Sequence, residues 1–292
     1  MTAIKIDPLP RCQSRASFSE LGEVLRHWAG KRPAATAYSF LGDDDQTESR
    51  TYEQLDAAAR RIAGRLQQTV QQGDRALLLF PAGLEFIEGF FGCLYAGVIP
   101  VPTCYPKINR PMPRLDSIAR DTSAAALLST EETLTQIDDA TDQPAWAHLP
   151  RLAVDAIDDA DCALWSLPAL APEDTAFLQY TSGSTSDSKG GVVSHGNLLA
   201  NLEAIRRGFH MHVDADGAAD SRGAFWLPAY HDMALIGGIV TPLYVGGQSF
   251  LMSPRLFLQR PLRWLDALSR TKANISGAPN FAFDLCVDKT TP

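Results

Sequence analysis

The run YTSGSTSDSKGG, from Tyr180 to Gly191, concentrates groups that bind anions. Thr181, Ser182, Ser184 and Thr185 carry hydroxyl donors, Gly183 admits close backbone approach, and Lys189 supplies one compact positive charge. Successive small residues can turn several backbone N–H groups toward one phosphate, and a lysine adds a point charge beside them. The Walker form, G-x-x-x-x-G-K followed by Ser or Thr, is missed at two places. Gly183 and Lys189 hold its spacing, but Ser188 and Gly190 stand where it needs Gly and Ser or Thr. The context differs too, because a Walker loop opens a helix, whereas FLQY before this run and GVVS after it read as strands. The run is therefore the tip of a hairpin, and composition alone leaves an unliganded Ser/Gly hairpin as the alternative.

A second group of candidates is His231 beside Asp232. Such an imidazole can act as a base or orient a carboxylate. It can equally be a hydrogen-bonded core histidine, with Asp232 capping the next helix. The following stretch, MALIGGIVTPLYVGG, is apolar, and its Gly237–Gly238 pair leaves room beside a helix. An alkyl chain buried there gains about 0.8 kcal/mol per methylene, while plain core is the usual fate of such a run. His210 and His212 form an H-x-H pair in an Asp/Gly-rich loop with no third ligand in view, which reads as a solvated loop and not a metal site.

The elements that must carry these residues alternate between two periods. Leu21, Val24, Leu25 and Trp28 share one helical face, and ATAYSFL follows as a strand. Thr51 stands three residues before Gln54, the spacing of a capping box, ahead of a helix with Leu55, Ala59, Ile62 and Leu66 on one side. RALLLFP, a helix through Phe86, Phe90 and Leu94, and VIPVPT make a strand, helix, strand unit of a parallel sheet. RLDSIARDT and AALLST repeat the cycle, and RLAVDAI adds a strand. Beyond Pro172 come the hairpin, the helix NLLANLEAI, the strand AFWLP, an apolar helix from Met233 to Tyr244, the strand SFLM, the helix LRWLDALSR and the strand NIS.

Composition narrows the function. At roughly 150 residues per domain, 292 residues make two domains or two lobes. A net charge of −8, with only Lys107, Arg110 and Arg114 as a basic cluster, argues against a nucleic-acid surface. The five scattered cysteines form no CxxC pair, so neither a disulfide framework nor a zinc site is expected. No stretch reaches the ~18 apolar residues of a membrane span, and a cytoplasmic location is the expectation.

YTSGSTSDSKGGVVSH resembles the phosphate-loop signature of the adenylate-forming enzymes, which include acyl-CoA synthetases, peptide-synthetase adenylation domains and luciferases; its usual form is YTSGSTGxPKGVxxSH. RTYEQLD resembles that family's Leu-Thr-Tyr-x-Glu-Leu helix start, and LYAGVIPVP its Ala-Gly-x-x-x-x-Pro segment, in the same order and spacing. Within the family, INRPMPRLDSI, WLPAYHDMALIGGIVTPLYVGG, FLQRPLRWLDALSR and SGAPNFAFDLC are most similar to fatty acyl-AMP ligases, which pass acyl groups to a carrier protein's phosphopantetheine. The chain departs from the pattern at Ser186 and Ala234, where Gly is usual, and at Ser188, where Pro is common.

The resemblance implies an α/β fold: the N-terminal portion of the adenylate-forming enzyme fold, with mixed and parallel sheets flanked by helices in two stacked sub-domains. Residues 1–172 would form the first and residues 173–292 the second, incomplete one, with the C-terminal lobe absent. It implies ATP-dependent activation of a fatty acid to an acyl-adenylate, with Mg2+ bridging the phosphates and an acyl carrier protein receiving the acyl group. Thr181, Ser182, Gly183, Ser184, Thr185 and Lys189 would meet the β- and γ-phosphates. Tyr230, His231, Asp232, Met233, Gly237, Gly277, Pro279 and Asn280 would line the acyl and adenylate pocket. An acyl carboxylate is already ionised near neutrality, so His231 is not needed as a base. The adenine-stacking aromatic residue, the ribose-binding Asp and the catalytic Lys are expected beyond Pro292, which leaves this chain alone inactive. The alternatives are a long-chain fatty acyl-CoA synthetase and a non-catalytic nucleotide-binding or scaffold module.

Overall fold

The computed structural model describes residues 18–43, 46–105, 112–139, 145–180, 190–211, 218 and 220–290. Helix α1 (Leu21–Lys31) leads into strands β1 (Thr36–Leu41) and β2 (Thr47–Thr51), followed by α2 (Tyr52–Leu66). An alternating series then runs β3 (Arg75–Leu78), α3 (Glu85–Ala96), β4 (Ile99–Pro102), α4 (Pro113–Thr122), β5 (Ala126–Ser129), α5 (Glu131–Asp138) and β6 (Arg151–Ala153). Strands β7 (Thr175–Tyr180) and β8 (Gly190–Ser194) precede α6 (His195–Gly208) and β9 (Arg222–Phe225). A π-helical segment, Met233–Val240, runs into α7 (Thr241–Tyr244). Strand β10 (Gln248–Met252) and helices α8 (Pro254–Gln259), α9 (Leu262–Thr271) and α10 (Asn280–Lys289) follow.

Local chemistry accounts for the helix starts. Thr51 Oγ1 accepts from the Gln54 N–H at 3.2 Å while Gln54 Oε1 accepts from the Thr51 N–H at 2.9 Å, the reciprocal pair expected of a capping box. On α1, Leu21, Val24, Leu25 and Trp28 are fully buried, as their spacing predicts.

Among the described residues the strands form two four-stranded sheets and a hairpin. In the parallel sheet, ordered β4-β3-β5-β6, every pairing is parallel. Burial on both faces explains its continuous apolar runs, such as Leu77–Leu78 and Leu127–Leu128. The mixed sheet is ordered β2-β1-β10-β9; β1 pairs antiparallel with β2 and parallel with β10, and β10 pairs parallel with β9. Strands β7 and β8 pair antiparallel. The mixed sheet draws strands from both sides of Pro172, so the division expected there is one of chain order and does not separate the sheets. The expected strand NIS is reduced to a single parallel bridge between Ile275 and Gly223 at the edge of β9.

The sheets are tied through Arg50 on β2, whose Nε donates to Glu88 Oε1 on α3 at 2.6 Å. Glu88 is only 4% exposed, so this ion pair sits where an unmatched carboxylate would be costly.

Candidate functional site

Strands β7 and β8 present the loop 181–189, and Thr181, Ser182, Gly183, Ser184, Thr185 and Lys189 all lie outside the described residues. The two residues that flank this stretch, Tyr180 and Gly190, face each other as register partners. A Cβ at Gly190 would fall 2.7 Å from the Tyr180 ring, so the hairpin closes there only over glycine. Helix α4 clamps the same point: Arg114 donates to the Tyr180 carbonyl at 3.2 Å, and the Tyr180 hydroxyl donates to Asp121. Burial first, and then Asp121, push the Tyr180 phenol far above its ordinary range, which keeps it a donor.

The hairpin base is joined directly to the His231 corner. Gln179 Nε2 on β7 donates to the Tyr230 carbonyl at 3.1 Å, and its Oε1 is buried with no partner among the described residues. Tyr230 is half-buried; burial raises its phenol, Cys104 adds to the rise and Arg114 opposes it. Tyr230 thus shares its surroundings with the chain just after β4 and with the start of α4.

His231 Nδ1 lies 2.7 Å from Asp232 Oδ1, and both side chains are more than half exposed. The reading of His231 as a core histidine is corrected accordingly. It sits on an exposed turn, closed by its own N–H donating to the Pro228 carbonyl at 2.9 Å. Asp232 Oδ1 accepts from the Met233 N–H at 2.7 Å, so it caps the segment that follows, as expected of that residue type. Met233 is exposed, and around the position of a Cβ on Gly237, four residues on, there is nothing within 4 Å.

Phe225, at the end of β9, connects the remaining predicted residues. A Cβ at Gly238 would lie 3.0 Å from its ring, one at Gly223 2.7 Å, and one at Gly277 4.0 Å. The Gly237–Gly238 and Gly277 segments therefore meet across one buried aromatic ring. Pro279 is the N-cap of α10 and the exposed Asn280 opens that helix; neither is drawn into the His231 corner by a hydrogen bond among those described. Gln179, Asp121 and Phe225 were not singled out from the sequence, and Arg114 was noted only for its charge. A polar Gln within the apolar strand TAFLQY was the one available signal, since a buried amide needs a partner.

Two clefts lie away from this corner. One, of about 480 Å³, is lined by residues that include Leu41, Met252, Arg260, Arg263 and Arg270; the other, of about 370 Å³, includes Arg32, Asp220 and Arg222. Among the described residues no three His, Cys, Asp or Glu side chains gather to hold a metal ion. No described helix is long and apolar enough to cross a membrane.

The profile of the AMP-binding enzyme family matches residues 25–292. The chain is 37% identical over 284 residues, 95% of its length and 47% of the relative's, to the medium-chain-fatty-acid (acyl-carrier-protein) ligase JamA of Moorena producens. It is 38% identical over 274 residues, 92% of its length and 47% of the relative's, to the long-chain-fatty-acid–AMP ligase FadD26 of Mycobacterium marinum. The fold superposes with a TM-score of 0.86 and 40% identity on the fatty acyl-adenylate ligase of L. pneumophila, solved with acyl adenylate and pyrophosphate, covering 93% of this chain and 46% of that one. The chain spans about half the length of the curated relatives it matches.

Proposed function

Since the chain belongs to the AMP-binding enzyme family, we propose that it serves the ATP-dependent conversion of a fatty acid to its acyl-adenylate, for transfer to the phosphopantetheine of an acyl carrier protein. One observation carries this reading: the Gln179–Tyr230 hydrogen bond of 3.1 Å ties the base of the anion-binding hairpin to the corner beside the open face of Gly237. A triphosphate held at the first place and an alkyl carboxylate at the second would be bound on directly connected parts of the fold. Similarity to ligases of medium- and long-chain fatty acids supports the choice of substrate.

In the reaction, a carboxylate oxygen attacks the α-phosphorus of ATP, the bond from that phosphorus to the bridging oxygen breaks, and pyrophosphate leaves with the electron pair. The acyl group is kept as a mixed anhydride. No nucleophile from the protein is required, so the work is positioning and charge neutralisation. Residues 181–185 and Lys189 would hold the β- and γ-phosphates, and a bound Mg2+ would supply further neutralisation of their charge. Arg114, Asp121 and Gln179 fix the β7 end of the hairpin, at Gln179 and Tyr180. His231, bonded to Asp232, orients the carboxylate at the pocket mouth; it has no proton to remove from a group already ionised.

The test uses the full-length protein with ATP, a panel of fatty acids, coenzyme A and a phosphopantetheinylated carrier protein, with mass spectrometry of the products. Acyl-adenylate and acyl-carrier protein are expected, and acyl-CoA as the main product would overturn the carrier-protein assignment. Lys189→Ala should lower kcat/KM for adenylation roughly 10- to 150-fold, the loss of a charge-assisted phosphate contact of about 1.5–3 kcal/mol. Unchanged adenylation in that variant would remove the hairpin from the phosphate site.

A further inference from the structure

The segment Met233–Val240 is π-helical over eight residues, whereas π geometry is usually confined to a single turn. The way it ends is readable in the chain. The Thr241 N–H reaches the Ile236 carbonyl, five residues back, and the next residue is Pro242. Proline has no N–H, so it can donate neither to Gly238, its partner at α spacing, nor to Gly237, its partner at π spacing. Backbone carbonyls are thereby left short of donors inside the protein, where an unmet polar group costs free energy.

Two side chains from the sheet beneath donate to carbonyls at this end of the segment, one of them the Gly238 carbonyl that Pro242 cannot serve at α spacing. Ser249 Oγ on β10 donates to the Gly238 carbonyl at 2.6 Å, and Tyr38 Oη on β1 donates to the Ile239 carbonyl at 2.9 Å. Tyr38 and Ser249 are register partners in the parallel β1–β10 ladder, so their hydroxyls leave one face of the sheet side by side and take consecutive carbonyls. Both are essentially unexposed to solvent. Burial raises the Tyr38 phenol well above its ordinary value, so it stays a donor.

The register they hold decides which residues face where. Gly238 packs against the Phe225 ring, where a Cβ would sit tightly at 3.0 Å, and Gly237 faces open space four residues after the exposed Met233. An α spacing turns each residue through a larger angle, which would carry Gly238 off Phe225 and swing the open side of Gly237 away. We infer that the Tyr38–Ser249 hydroxyl pair is a positioning device that locks residues 233–240 in π-helical register and thereby sets where the open side of Gly237 faces, and with it the room left for an acyl chain there. This rests on the reading that the Gly237 face meets an acyl group.

The experiment compares Tyr38→Phe, Ser249→Ala and Ser249→Thr in the full-length protein. Acyl-adenylate formation across fatty acids of increasing length and amide hydrogen exchange of residues 233–245 are both measured. Phe and Ala at these positions should change the ratio of kcat/KM between long and short chains by about tenfold and speed exchange in the segment, as expected for losing one buried hydrogen bond. Ser249→Thr, which keeps the hydroxyl, should restore the wild-type ratio. A merely structural role would lower the melting temperature and leave the ratio unchanged, and that result overturns the inference. If the wild-type protein adenylates no fatty acid, the functional reading fails, and exchange decides the latch by itself: unaltered protection in Tyr38→Phe and Ser249→Ala overturns it.

Discussion

The parallel sheet and the mixed sheet have the same number of strands but are assembled and used differently. Strands of the parallel sheet follow one another between Arg75 and Ala153, and its hydroxyls turn inward on the sheet: Thr103 Oγ1 donates to the Leu78 carbonyl at 3.0 Å and Ser129 donates to that of Leu79. In the mixed sheet, β1 and β10 come from opposite ends of the chain, and Tyr38 and Ser249 spend their hydroxyls on the π-helical segment above. The hydroxyls of Thr103 and Ser129 stay within the parallel sheet, while those of Tyr38 and Ser249 extend hydrogen bonding into the neighbourhood of the candidate site. Damage to the first should therefore be read in stability, and damage to the second in selectivity.

The strongest challenge to that contrast falls on the link between the sheets. Arg50→Ala strips Glu88 of its partner while leaving it buried, and should destabilise the protein by about 3–5 kcal/mol. Urea denaturation measures it, and adding Glu88→Gln should recover part of the loss. A cost below about 1 kcal/mol would mean that the two sheets are not held together there. Next in size is Leu77→Ala in the parallel sheet, where a fully buried side chain is removed at about 2–5 kcal/mol. Its chain-length profile in adenylation, measured per folded molecule, should match wild type; a shifted profile would break the division of labour.

A smaller effect concerns His195 at the start of α6. Its Nδ1 accepts from the Leu21 N–H at 3.2 Å and is 1% exposed as a residue, and burial lowers its pKa from the ordinary 6.5 against the pull of Glu20 and Asp174. The unfolded chain then binds this proton more readily than the folded one. Stability from this group is therefore complete above about pH 6.5 and is lost as pH falls through the depressed folded value. His195→Gln should cost about 0.5–1.5 kcal/mol near neutrality and flatten the pH dependence of the melting temperature between about pH 7 and 5. An unchanged slope would assign that acid sensitivity to other groups.

What could be read from the sequence follows the same divide. The capping box of Thr51 and Gln54, the buried face of α1 and the β3-α3-β4 unit rest on residues a few positions apart, and each forms as its spacing predicts. Pairing of β1 with β10 leaves no such local mark, because a parallel contact across some 200 residues depends on everything between. The apolar run predicts a helix over Met233–Tyr244, and its π-helical first part depends on neighbours such as Tyr38 and Ser249 that only the fold brings near. The residue types around His231 fit pocket and core alike, and it is the turn after β9 that leaves it open to solvent. The hairpin's strands were legible, whereas its tip remains an assignment from residue types.

Strand β1 has a further consequence, one of timing. Its partner β10 ends at Met252, so a ribosome moving at about 5–20 residues per second leaves Leu41 waiting roughly 10–40 s for that strand to be made. The hairpin with β2 shields one edge of β1 meanwhile, and the other edge stays open to any neighbouring nascent chain. Slow codons or a missing chaperone in that interval should trap this protein in aggregates more readily than one whose sheets close in the order they are synthesised.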